Sequence, residues 1–123
     1  MQKLFRPGTN IAVKTPSHEY DATLKFYRDI LGLEERPTAD GGIVAGSRFQ
    51  FGDFLLWIDK VPALSQAEIW LEVVTSDIDA AARHLEAMGC QRRDEIEPLP
   101  EGLAGFWVSS PANIIHLVNQ SVD

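Results

Sequence analysis

A short strand, an amphipathic helix closed by glycine, and three further strands follow one another twice within these 123 residues. Such a duplication constrains the fold more than any single motif does. Neither copy can bury its apolar face alone, so each needs packing partners arranged to one plan. In the first copy Asn10 to Lys14 is a strand, with Ile11 and Val13 on one side and Asn10 and Ala12 on the other. Thr15-Pro16-Ser17 supplies a cap. Tyr20, Leu24, Tyr27 and Leu31 then recur at helical spacing until Gly32 stops the helix. Leu33 to Ala39 reads as a strand broken by Pro37, Asp40-Gly41-Gly42 as a hairpin turn, Ile43 to Phe51 as the returning strand and Phe54 to Asp59 as the last. Lys60 to Gln66, with Pro62 and no periodicity, is a connector.

The second copy starts with a strand from Ile69 to Val74 and a Thr75-Ser76 cap. A helix with Ile78, Ala82, Leu85 and Met88 as its stripe follows, closed by Gly89. Arg92 to Glu97 is a polar edge strand, Pro98 to Gly102 a turn, and Leu103 to Ser109 and Asn113 to Asn119 the closing strands. The expected architecture is α+β, a single domain over residues 1–123 with repeats at about 8–60 and 67–120. Composition agrees, since 45% hydrophobic and 24% charged residues are ordinary for a globular domain.

Charge and cysteine narrow the partners. Eleven Lys and Arg against eighteen Asp and Glu leave a net charge of −7, which repels polyphosphate. Nucleic acid is therefore not an expected partner, and a neutral or cationic small molecule is. Cys90, the single cysteine, forms no disulfide within the chain, and no signal peptide or membrane span is visible, so a reducing cytoplasm is the expected setting.

Two stretches carry a resemblance. Phe26-Tyr27-Arg28-Asp29-Ile30-Leu31-Gly32-Leu33 resembles the helix-end signature of the glyoxalase/bleomycin-resistance/dioxygenase (vicinal oxygen chelate) superfamily, echoed in Leu85-Glu86-Ala87-Met88-Gly89. Phe106 to Leu117 is similar to that family's closing strand pair, with Ser110 in place of the usual Asp of an Asp-Pro turn and the turn's glycine missing. The resemblance runs from Asn10 to Asn119 and implies two βαβββ repeats forming a curved mixed sheet around a cleft, in a homodimer.

Strand alternation then sorts candidate residues. If Ile11 and Val13 pack on the helix, Asn10 and Ala12 face the ligand side. Likewise Trp57 faces it if Leu56 and Ile58 are core, with Asp59 two residues on. Trp70 and Glu72 face it if Ile69, Leu71 and Val73 are core, and His116 does so if Ile115 and Leu117 are. Trp107 and Phe49 fit either side. The resemblance implies metal ligands, His and Glu in metal-dependent members, at places matching Asn10, Trp57, Trp70 and His116. Only His116 is an ordinary ligand for such an ion.

Two readings follow. The first is a metal-free small-molecule binding protein like the bleomycin-resistance proteins, with Asn10, Trp57, Asp59, Trp70, Glu72 and His116 lining an acidic, tryptophan-rich cleft for a cationic or aromatic ligand. The second is a divalent-metal-dependent lyase, isomerase or dioxygenase with His116 and Glu72 recruited as ligands. The tryptophans equally suit plain packing between sheets or at a dimer interface, with the cleft vestigial in a domain that pairs with other proteins. His18-Glu19 reads as a helix-start pair, His84 as solvent-facing and Cys90 as a small apolar residue. No Ser/His/Asp arrangement, phosphate-cradling glycine loop or Cys/His zinc cluster can be assembled.

Overall fold

The structure, a computed structural model, describes residues 3–37, 46–99 and 101–121. Two compact units emerge, residues 9–70 and residues 71–123 together with 1–8. Along the chain the elements are β1 (Arg6–Thr15), α1 (Ser17–Lys25) continued by a π-turn (Phe26–Ile30), β2 (Glu35–Arg36), β3 (Gly46–Phe51) and β4 (Phe54–Lys60). Then come β5 (Glu68–Thr75), α2 (Ile78–Ala87), β6 (Gln91–Arg92), β7 (Gly105–Ser109) and β8 (Ile115–Gln120). The βαβββ order thus occurs twice, in an α+β fold. In each copy the last strand returns beside the first and runs parallel to it: β1 with β4 in register Asn10↔Leu55 to Thr15↔Lys60, and β5 with β8 in register Leu71↔His116 to Thr75↔Gln120. The remaining pairs, β2 with β3, β3 with β4, β6 with β7 and β7 with β8, are antiparallel.

In the 9–70 unit, Phe49, Leu56 and Ile58 form the buried cluster, with Ile11, Val13, Tyr20, Leu24, Tyr27 and Leu33 packed on it. Each fully buried side chain of this size contributes roughly 1.5–3 kcal/mol. Leu31, expected on the same stripe, is instead 49% exposed. The π-turn explains this, because the Leu31 N–H reaches back to the Phe26 carbonyl, five residues away, and the wider turn rotates later side chains off the helical stripe. Leu33 takes the vacated place.

The second core holds Ala81, Phe106, Val108 and Val118, with Phe5, Val73, Ile78, Ala82, Leu85 and Cys90 against it. Met88 lies past the end of α2 and is 69% exposed. The cap of α2 falls one residue later than expected, on Asp77, whose carboxylate accepts from the Ala80 N–H at 3.0 Å. Gln120 accepts from the Ile78 N–H, so β8 also satisfies the helix start. No side chain caps α1; Pro16 stands at its N-cap and its carbonyl accepts from the Glu19 N–H.

Both edge strands are two residues long, shorter than expected. Beyond Arg92 the Arg93 N–H makes a last bond to the Trp107 carbonyl, and the Ile96 N–H then folds back to the Arg93 carbonyl. The expected Asp40-Gly41-Gly42 turn lies outside the described residues. Among those described, no helix is long and apolar enough to cross a membrane.

The glycine missing between β7 and β8 has a replacement. Asn113 holds φ 62°, the left-handed region, and its Oδ1 accepts from Arg93 Nη1 at 2.8 Å. Asn113→Val should therefore lower stability by about 1–2 kcal/mol in urea unfolding, and Asn113→Gly by less than about half of that. Equal midpoints for the two variants would mean that the turn relaxes to another conformation.

Candidate functional site

Because Ile11, Val13, Leu56 and Ile58 pack toward α1, alternation turns Asn10, Ala12 and Lys14 of β1 and Leu55, Trp57 and Asp59 of β4 to the opposite side. Antiparallel pairing of Arg48 with Trp57 and of Arg36 with Arg48 adds both arginines to that face. The residues are tied together there. Trp57 Nε1 donates to Asn10 Oδ1 at 2.8 Å, and the Arg48 guanidinium lies 5.0 Å from the Trp57 ring centre. Arg48 is steadied by its own Nε, which donates to the Pro37 carbonyl at 2.7 Å.

Beside them is a buried ion pair. Lys14 Nζ donates to Asp59 Oδ2 at 2.9 Å, with the two side chains 4% and 12% exposed. The same ammonium sits 4.2 Å from the centre of the Trp70 ring. Trp70 is itself buried, and its Nε1 donates to Glu68 Oε1 at 3.0 Å. The acidic character expected from Asp59 is therefore cancelled by Lys14. The indole faces expected to receive a ligand cation already meet cations of the chain.

In the other unit Val73 packs toward α2, which turns Glu72 the other way. Glu72 lies against Gly8, where any side chain would collide with it, and accepts from Asn119 Nδ2 at 3.5 Å. Ile69 and Leu71, expected in the core, are 53% and 38% exposed, since of this strand only Val73 packs on the helix cluster. Trp107, which fitted either side, lies opposite Leu117 on the Glu72 side, and its Nε1 donates to the Glu97 carbonyl at 2.8 Å. Phe49, equally open, belongs to the α1 core.

His116 is the correction. Val118 sits in the core under α2, paired with core residues Phe106 and Val73, and His116 shares its side of β8. Leu117 and Asn119 accompany Glu72 instead. Ile115, though fully buried, shares their side of β8, away from the helix. The strand is thus shifted by one residue from the expected facing, and His116 and Glu72 lie on opposite faces of their sheet. The His116 ring Nδ1 is 2.9 Å from the Ile114 carbonyl.

A two-ligand site from His116 and Glu72 is accordingly not formed. The repeat register pairs Thr15 with Lys60 and Thr75 with Gln120, so the place in β8 equivalent to Trp57 is Leu117. The ligand places that the resemblance implies are then Asn10, Trp57 and Trp70 in the 9–70 unit and Leu117 in the other. An amide, two indoles and an isobutyl group do not suit a divalent ion, and the amide oxygen already accepts from Trp57. Among the described residues no three His, Cys, Asp or Glu side chains are grouped as metal ligands.

Comparison with known proteins agrees with this architecture. The family described as Glyoxalase-like domain matches residues 10–112. No curated protein matches the chain in sequence. Among solved structures, methylmalonyl-CoA epimerase from Mycobacterium tuberculosis is 15% identical with a TM-score of 0.64, over 100% of this chain and 93% of that one. A glyoxalase/bleomycin resistance protein/dioxygenase superfamily member from Vibrio splendidus 12B01 is 12% identical with a TM-score of 0.62, over 94% and 100%. The Mn(II)-bound glyoxalase from Novosphingobium aromaticivorans is 22% identical with a TM-score of 0.60, over 92% of this chain and 37% of that one. At these identities the likeness is one of fold.

Breaking the buried pair tests its role. Lys14→Met leaves Asp59 without its ammonium and should cost about 3–5 kcal/mol in urea unfolding. A loss below about 1 kcal/mol would instead be that of a solvated pair.

Proposed function

The chain belongs to the glyoxalase-like domain family, and from that premise we propose that it binds a small planar molecule, without a metal, on the Trp57 face of residues 9–70. The observation that carries this reading is the 2.8 Å bond between Trp57 Nε1 and Asn10 Oδ1. Two places that hold metal ligands in metal-dependent relatives here satisfy each other. The amide oxygen accepts a hydrogen bond in place of a cation, and the indole keeps its polar edge satisfied while offering a flat apolar surface.

A binding role follows from what these groups can do. Stacking of an aromatic ligand on an indole contributes about 0.5–1.5 kcal/mol beyond the area it buries. Ala12, directly paired with Trp57 on β1, carries only a methyl group beside the ring. Lys14 and Asp59 neutralise each other, so this reading gives neither the part of an acid or base. A cationic ligand would have to displace Arg48 from Trp57 or Lys14 from Trp70, which favours the aromatic half of the sequence-based expectation over the cationic half.

Naphthamide, planar and uncharged, is a suitable probe. It should quench tryptophan fluorescence and shift the Trp57 indole N–H resonance, and Trp57→Ala should weaken its binding at least about tenfold, the equivalent of roughly 1.4 kcal/mol. His116→Ala should leave binding unchanged. A Trp57→Ala protein that binds naphthamide as the parent does would overturn the placement.

Metal uptake gives an independent check. After incubation with Mn, Fe, Ni or Zn and desalting, elemental mass spectrometry should find no stoichiometric ion. One ion per chain would overturn the metal-independent reading.

A further inference from the structure

Arg48 and Arg36 are direct cross-strand partners on the Trp57 face. Like charges placed opposite each other on a sheet repel and are destabilising. Arg36 has a local counter-charge, Glu34 Oε2 at 3.5 Å. Arg48 has no carboxylate partner among the described residues; its Nε is taken by the Pro37 carbonyl, and no described acceptor takes its terminal Nη groups. The nearest acid on the same face of β4, Asp59, is held by Lys14. Among the described residues, then, no carboxylate meets Arg48, whose guanidinium is half-buried and lies on an indole.

Charge, shape and donor geometry converge at this point. A guanidinium fixed through Nε and stacked on a ring has lost most of its freedom before any ligand arrives, so little entropy remains to be lost on binding. Its terminal N–H groups form the fork that matches a carboxylate, and such bonds are roughly twice as strong as neutral ones. The chain is acidic as a whole, with a net charge of −7, but among the described residues of this face Arg48 is a cation without a carboxylate partner.

Resting on the binding function proposed above, we propose that Arg48 is the specificity-determining residue of the Trp57 face and that the ligand there is a planar molecule bearing a carboxylate or similar oxyanion. The ring lies along Trp57 and the oxyanion meets Arg48. The preference is one of binding, with no bond made or broken.

Three probes of one shape separate the possibilities: naphthoate, naphthamide and naphthylmethylammonium, titrated while the Trp57 indole N–H resonance is followed. Naphthoate should bind about tenfold more tightly than naphthamide and the ammonium most weakly, with added salt reducing the difference. Arg48→Gln should bring the naphthoate-to-naphthamide ratio close to one. Arg48→Lys, which keeps the charge without the fork, should give an intermediate ratio and serves if the glutamine variant loses its dispersed spectrum. Equal binding of naphthoate and naphthamide, with the Trp57 resonance shifted by both, overturns the oxyanion inference and leaves the planar-ligand reading standing. Tightest binding by the ammonium does the same. If no probe moves the Trp57 resonance, the planar-ligand reading fails, and this inference with it.

Discussion

A lysine ammonium held out of water against a carboxylate tolerates little displacement, and the Lys14–Asp59 pair imposes that condition on the centre of the 9–70 unit. The two residues are direct partners in the parallel β1/β4 ladder. A slip of one residue would carry either charge to the α1 side among Leu56 and Ile58, at the full desolvation cost of an unpaired ion. The pair thus fixes strand register from the polar side as the apolar cluster fixes it from the other. The same ammonium also lies over the Trp70 ring.

The scaffold is one that supports several chemistries, and function has to be argued from the groups it carries. The ligand places that the family resemblance implies bear Asn10, Trp57 and Trp70 in the 9–70 unit and Leu117 in the other. Within the 9–70 unit indole bonds to amide, indole to carboxylate and ammonium to carboxylate. The Trp57 face of that unit carries an indole with a guanidinium on its ring, and the binding role proposed for it rests on those groups.

Much of the architecture was legible in the sequence because each copy shows its periodicities cleanly. The alternation of Ile11 and Val13 with Asn10 and Ala12, and of Leu56 and Ile58 with Trp57, assigned both faces of β1 and β4 as the core contacts have them. Misjudgements arose where the local pattern is degenerate. In Ile114-Ile115-His116-Leu117-Val118 apolar residues stand at both parities, so alternation allows either facing and puts His116 on whichever side the reader prefers. The π-turn after Lys25 leaves no mark in an i, i+3, i+4 pattern except that Leu33, not Leu31, completes the stripe. Arg48 and Lys14 were missed as members of the site because nothing local distinguishes them from solvated basic residues. A cue existed for Lys14, which continues the Asn10 and Ala12 parity toward Asp59.

By itself the sequence determined the two βαβββ copies, their helix-ending glycines and the principal core residues. These depend on residue type and on short-range spacing, both of which a single chain displays directly. Only the tertiary structure decided the facing of β8, the neutralisation of Asp59 by Lys14 and the bond between Asn10 and Trp57. Each of these joins residues 45 or more positions apart, or depends on which side of a strand a distant helix covers. Strand register is set by the summed packing of both faces, and no window of sequence contains that sum.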